Sequence, residues 1–272
     1  MTLPVLGGAF VTFEALESHR DWLLEAPRDV ELQMFIWPQM LDDDVAPHVA
    51  RAKALLDGTT GRIGLHGPFL GFKIDCVDPA IAAVAQARLL RGLDICEAVG
   101  ATQMVVHSPV STWDDSNHAV DPAHRRNQID RTLYLMGPVV QRAAETGVEL
   151  VIENVEDKDP LARLAIAEAF GSETVKLSLD TGHAHYAHVM THAPAVDVYV
   201  RAAGRMLHHV HLQDSDGFAD RHWHPGEGSL PWRAIFAALK SLPAMPRLII
   251  EVKDQKNVRR GGEHLASLGL AI

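Results

Sequence analysis

The sequence predicts a single (β/α)8 barrel spanning residues 1–272, and three observations carry that expectation. Eight short apolar runs alternate with longer stretches of helical period. Several of the runs are continuously apolar, as strands buried on both faces require. Eight such units in 272 residues match the size of a barrel of this kind. An open, doubly wound sheet is the alternative, but no G-x-G-x-x-G follows the first run to support it. Neither a composition break nor a low-complexity linker divides the chain.

In order, the runs are VLGGAFV (5–11), DVELQMF (29–35), RIGLHG (62–67), QMVVHS (103–108), VELVIEN (148–154), VKLSLD (175–180), HHVHLQD (208–214) and RLIIEV (247–252). The clearest helical stretches are PAIAAVAQARLLRGLDICEAVG (79–100) and AHRRNQIDRTLYLMGPVVQRAAETG (123–147), each closing on the Gly of a helix stop. PWRAIFAALKSL (231–242) opens with Pro231 in a first-turn position and Ser229 nearby as a cap. The DDD run at 42–44 reads as a solvated face or a helix start.

Composition narrows the function. The chain is 47% hydrophobic and 22% charged, with 25 Lys+Arg against 35 Asp+Glu and a net charge of -10. That balance argues against a broad footprint on a nucleic-acid backbone. Cys76 and Cys96 make neither a disulfide framework nor a thiolate metal cluster, and read as small apolar residues. The N-terminal stretch lacks the basic region and apolar run of a signal peptide. No apolar run approaches the roughly 20 residues that span a bilayer. A soluble, cytoplasmic protein with no membrane partner is expected.

The 16 histidines are the unusual count, because many of them end apolar runs. His66, His107, Glu153, Asp180, His211 and Glu251 each terminate, or nearly terminate, a strand. A barrel keeps its active site at those C-terminal ends. An ionisable group there is costly unless it is paired or holds a metal, so six from successive strands point to one site at one mouth. Without thiolates a structural zinc clip is excluded. Mixed imidazole and carboxylate suits Zn²⁺, Mn²⁺, Co²⁺ or Fe²⁺ with open positions. No nucleophile elbow and no phosphate-cradling Gly loop competes with that reading.

Two spacings refine it. In LDTGHAHYAH, Asp180 and His183 lie three apart at a strand exit and can both face the mouth, with His185 and His188 further out. In HHVHLQD, alternation puts His209 and His211 on one face and His208 on the other, with His211 nearer the mouth.

From the third run to the eighth, LHGPF, VVHSP, VIEN, LDTGHA, HVHLQDSDG, DRHWHPGEG and IIEV together resemble the xylose isomerase-like TIM-barrel superfamily. That superfamily includes sugar (phosphate) isomerases and epimerases and the endonuclease IV group of apurinic endonucleases. The isomerase branch implies one metal on Glu153, Asp180, His211 and Glu251. Glu153 and Glu251 would then move the proton beside the substrate carbonyl, and His183 would be a substrate or accessory contact. The endonuclease IV branch implies three zinc ions and adds His66, His107, His183, Asp220 and His222, so the resemblance allows one to three ions.

Three departures disfavour a nuclease. They are the net charge, the acidic loops FIWPQMLDDD and GPFLGFKIDCVD with a single lysine, and the four acids of ENVEDKDP. The expected partner is a small molecule, and nucleic acid is not expected. The expected reaction is therefore isomerisation or epimerisation of a sugar or small polyhydroxy carbonyl compound, free or phosphorylated. A multinuclear zinc phosphoesterase on a small substrate is the alternative. Glu31 and Gln33 are read as facing the interior; the resemblance implies Glu31 as a substrate contact, with a solvated strand-end acid as the alternative, and Lys253 is read as a cation for an anionic substrate group. Trp37, Phe69, Phe72 and Trp113 are candidate walls of the mouth, with packing in the core as the alternative. His224 and Glu227 are read as shaping their loop. A homo-oligomer is compatible with the acidic surface.

Overall fold

The continuous apolar runs become parallel strands because both of their faces are covered. In the computed structural model, which describes residues 3–121 and 123–272, these are Gly7–Phe10 (β1), Val30–Leu32 (β2), Ile63–His66 (β3), Gln103–His107 (β4), Glu149–Glu153 (β5), Val175–Asp180 (β6), Leu207–Leu212 (β7) and Arg247–Ile250 (β8). Each pairs with the next in parallel, and β8 returns to β1 to close a (β/α)8 barrel. Every predicted run holds one strand.

The helix stops fall where the glycines predict. The helix Pro79–Val99 ends on Gly100 at φ +76°, and His124–Thr146 ends on Gly147 at φ +71°. Both are left-handed positions that only Gly takes without strain. Asp78 starts the first of these helices by accepting from the amides of Ala80 and Ile81. The third helix differs from expectation. It runs Trp232–Lys240, so Pro231 sits at the cap rather than in the first turn. Ser229 does not cap it, because its hydroxyl meets His185 Nε2 at 2.8 Å. Asp42 ends the helix Pro38–Asp42, and Asp44 accepts from the amide of Ala46 at the start of Ala46–Leu56.

Between the sheet and the helices, side chains such as Leu65, Leu89 and Phe236 are fully buried, each contributing roughly 1.5–3 kcal/mol. Cys96 is among them, and burial pushes its thiol up, so it is inert. Among the described residues no helix is long and apolar enough to cross a membrane.

One irregularity aims the site. Leu177 lies opposite Leu207 but Ser178 lies opposite His209, so the register skips His208. His208 then meets Glu149 at 2.8 Å, while His209 and His211 are buried on one interior face, as the alternation predicts.

Candidate metal centre

The strand ends deliver their acids and histidines to one place. Glu153, at the end of β5, is the centre of the cluster. Its Oε1 lies 2.6 Å from His211 Nδ1 at the end of β7. Its Oε2 is buried and has no hydrogen-bond partner among the described residues. His66 Nε2 and His107 Nε2 face that oxygen from 3.5 and 3.4 Å. A buried carboxylate oxygen left unpaired is costly. Two imidazole nitrogens just beyond hydrogen-bond distance make the gap one that a cation fits.

Tautomers support the same fit. His66 Nδ1 lies 2.9 Å from the Gly67 carbonyl, which can only accept, so the proton sits on Nδ1 and the Nε2 lone pair faces Glu153. His183 is held in the same way by the Asn154 carbonyl at 2.9 Å, which turns its Nε2 toward Asp220, 3.5 Å away. Four sets of ligand atoms result, those within each set lying within 4.8 Å of one another: His66, His107 and Glu153; Glu153, Asp180, His211 and Glu251; His183, Asp220 and His222; and Glu31, His209 and His211. Glu153 belongs to the first two.

Supporting residues fix these side chains. Asp180 closes β6 and caps the helix Thr181–Thr191, accepting from the amide of His183 at 2.7 Å. The helix begins directly at the strand exit, and it orients Asp180 and His183 together. Gln213 Nε2 donates to Asp180 Oδ1 at 3.1 Å and to Asp220 Oδ1 at 3.0 Å, bridging two of the sets. Gly182 is required for this, since a Cβ there would stand 2.2 Å from the Gln213 side chain. Gln213 also accepts from the amide of His222, whose backbone is left-handed at φ +49°. That strained conformation is held from both sides, because the His222 carbonyl accepts from Lys253 N at 2.9 Å. Asn154 accepts from the Asp180 amide and from the buried Arg163 guanidinium, which also donates to the carbonyls of Ile152 and Ser178. Asn154, Gln213 and Arg163 are absent from the sequence reading, although Gly182 beside Asp180 was a signal that something packs closely there.

Glu31 departs from expectation. It is 1% exposed and does not line the mouth cavity, lying instead against His209 and His211. Its Oε1 meets His211 Nε2 at 2.9 Å and its Oε2 meets His209 Nε2 at 3.0 Å. His209 Nδ1 in turn meets Ser178 Oγ at 2.8 Å. Both His211 nitrogens thus face carboxylates, and with a cation at Nδ1 Glu31 would hold the remaining proton on Nε2. Gln33, its neighbour on the same face, donates to both Glu31 and Glu251.

The charges are strongly coupled. Burial alone would lift the Glu153 carboxyl, but His211, His66 and His107 hold it well below the usual range. Burial opposes a charge on His211, yet Glu251, Glu31 and Glu153 raise it well above the usual imidazole range. Burial, with Glu251 and Glu153 nearby, pushes Asp180 up. Such a site holds protons wherever no cation sits among its carboxylates.

Above the cluster lies a cavity of about 650 Å³, lined by Glu153, Glu251, His183 and His222, with Phe69, Ile36 and Val252 as apolar walls and Lys253 and Arg221 at the rim. Of the four aromatic candidates only Phe69 lines it, stacked on His107 with ring centroids 3.9 Å apart. Phe72 lines an adjoining cavity of about 150 Å³. Trp37 and Trp113 are 47% and 74% exposed and line neither.

Beside Arg163, Asp157 is buried and accepts from Ser108 Oγ at 2.8 Å. Burial outweighs Arg163 and Ser108 and pushes its carboxyl up to about 6. The folded chain thus binds this proton more tightly than the unfolded chain does. The contribution is complete below about pH 4, lost as pH rises through 6, and worth about 3 kcal/mol. Urea unfolding at pH 4, 5, 6 and 7 should show an Asp157→Asn variant gaining on the wild type as pH rises. Parallel curves would refute this.

A profile of the family described as xylose isomerase-like TIM barrel matches residues 25–268. Among solved structures, similar folds include the TTHB071 protein from Thermus thermophilus soaked with ZnCl2, 24% identical, with 97% of each chain covered and a TM-score of 0.71. A D-tagatose 3-epimerase-like protein is 19% identical over 97% of this chain and 96% of that one, with a TM-score of 0.76. The 3-keto-D-glucoside 4-epimerase YcjR from E. coli is 15% identical over 97% and 99%, with a TM-score of 0.70. At these identities the likeness is one of fold. The uncharacterized protein MJ1311 of Methanocaldococcus jannaschii is 25% identical over 144 residues, which cover 50% of this chain and 48% of that protein.

Proposed function

The chain belongs to the xylose isomerase-like TIM barrel family, and from that premise we propose a divalent-metal-dependent isomerase or epimerase of a sugar or small polyhydroxy carbonyl compound. The observation that carries this reading is the set Glu153, Asp180, His211 and Glu251, of which Glu153 and Glu251 line the mouth cavity. Zn²⁺ or Mn²⁺, with Co²⁺ or Fe²⁺ as alternatives, suits these oxygens and nitrogens. When bound, the cation would supply Lewis acidity toward the substrate oxygens.

The chain's own residues do the rest. Glu153 and Glu251 both line the cavity and both face His211 Nδ1, at 2.6 and 3.3 Å. One removes the proton beside the carbonyl and the other returns it. His183 contacts the substrate beside Asp220. Lys253, at the rim, meets an anionic group such as a phosphate where the substrate carries one. Phe69, Ile36 and Val252 exclude water from the reacting carbon.

The alternative reading, a phosphoesterase on a small substrate, would use the sets around Glu153 together with His183, Asp220 and His222. Duplex DNA is not proposed as its substrate, given the net charge of -10 and the acids beside the mouth.

The two readings separate in one experiment. Metal-loaded protein is incubated with a panel of ketoses in deuterated water, and with bis(4-nitrophenyl) phosphate, while bound metal is counted. The isomerase reading expects exchange of a substrate C–H with solvent and about one ion per chain. Ester hydrolysis without exchange, with two or three ions, would replace it by the second reading.

A further inference from the structure

At the other end of the barrel, where the strands begin, lies a cavity of about 420 Å³ that shares no lining residue with the mouth. Three arginines line it: Arg62 just before β3, Arg205 on the turn before β7, and Arg247 at the start of β8. Gln103, Glu149 and His208 complete its polar wall. In a chain of net charge -10, three guanidinium groups around one cavity reverse the local sign.

Part of this charge is met within the chain. Arg62 donates to both oxygens of Asp29, at 3.0 and 2.5 Å. Glu149, the one acid of the lining, meets His208 Nδ1 at 2.8 Å and accepts from Gln103 Nε2 at 2.8 Å. Two guanidinium groups are left over. Arg247 is 7% exposed, and it donates to the Ile63 carbonyl at 3.1 Å and to the Thr102 hydroxyl at 2.7 Å, both neutral. It makes no ion pair among the described residues, and burial and the Arg62 charge both weigh against its ionised form. Arginine cannot shed that cost by losing its proton, so a buried guanidinium calls for a counter-charge. Arg205 is exposed and also makes no ion pair among the described residues; Glu173, which feels its charge, is held by Lys176 at 2.6 Å.

We propose that this cavity binds a phosphate group, free or carried by a small ester, on the Arg205 and Arg247 guanidinium groups. Set against Asp29 and Glu149, the three arginines leave one positive charge in excess, and two when His208 is protonated. A phosphate monoester carries about -1.5 to -2 at neutral pH, which matches that excess. The planar guanidinium fork fits phosphate oxygens in pairs. The cavity falls in the range of small-molecule pockets, roughly 300–1,000 Å³, so the carbon part of an ester has room beside Gln103 and His208. The site stands apart from the reaction at the mouth and does not depend on what that reaction is.

The test uses the full, zinc-loaded chain at fixed ionic strength and phosphorus-31 NMR titration with inorganic phosphate and with glycerol 3-phosphate. At least one of the two is expected to bind with a Kd of about 1 mM or tighter. Arg205→Ala and Arg247→Gln should each weaken that binding ~10-fold or more, as loss of a charge-assisted contact does. Lys253→Ala, at the rim of the mouth, should leave it unchanged. Should Arg247→Gln fail to fold, Arg205→Ala carries the comparison, since its side chain is exposed. Tighter binding of the ester assigns an ester as the ligand, and the reverse assigns the free ion. Binding that survives Arg205→Ala, or that is lost only in Lys253→Ala, overturns the proposal. So does the absence of binding by either probe.

Discussion

Replacing Glu153 with Gln is expected to lower turnover by about 10²–10⁴-fold, the usual worth of a positioned acid–base group, and to lower bound metal in the same preparation. The amide keeps the shape of the side chain but removes the charge that two ligand sets share. His66 Nε2 and His107 Nε2 would then face a neutral group, and His211 Nδ1 would lose its closest carboxylate, now at 2.6 Å. Two measurements check this: metal per chain after gel filtration, and the rate of substrate C–H exchange. Turnover and metal content close to those of the wild type would remove Glu153 from the centre of the site. Loss of turnover with full metal retention would leave it an acid–base group alone.

The barrel was readable because its strands are buried on both faces, which imposes unbroken apolar runs that polar loops cannot imitate. The site was readable for a related reason. Charged residues ending such runs contradict the environment around them, and the topology leaves them one place to meet. Glu153 and His211 are 58 residues apart in the chain and 2.6 Å apart in space, a contact that follows from closing the barrel.

Depth inside the barrel was not readable. Alternation assigns Glu31 to the interior, but the stagger of neighbouring strands decides which layer it occupies. Glu31 pairs with Ala9 and Gly64, one layer below His66, and so meets His211 from beneath. Neutral residues were missed because their type carries no signal. Asn154 and Gln213 are ordinary amides whose importance comes from the partners that the fold brings to them. Trp37 and Trp113 are exposed and are neither wall nor core, since a large aromatic beside a strand end reads the same whether it lines the mouth or points away from it.

The misplacement of Glu31 yields the second large effect. Glu31→Gln should weaken metal binding by about 10–100-fold, as loss of the outer partner of a ligating histidine does, with little change in the thermal midpoint. With a cation at Nδ1, His211 keeps a single proton, and the Glu31 carboxylate, which only accepts, would hold it on Nε2. An amide can present its NH₂ to that nitrogen instead, letting the proton move to Nδ1 and occupy the lone pair that a cation needs. Gln33, which donates to Glu31 and Glu251 together, would also lose one acceptor. Cobalt titration followed by visible absorption gives the affinity, and nitrogen-15 shifts of the imidazoles give the tautomer. A merely structural role would lower the melting midpoint and leave both readouts in place. If Glu31→Gln binds cobalt as tightly as the wild type, with the His211 proton still on Nε2, then the tautomer is set elsewhere and Glu31 does not position the ligand.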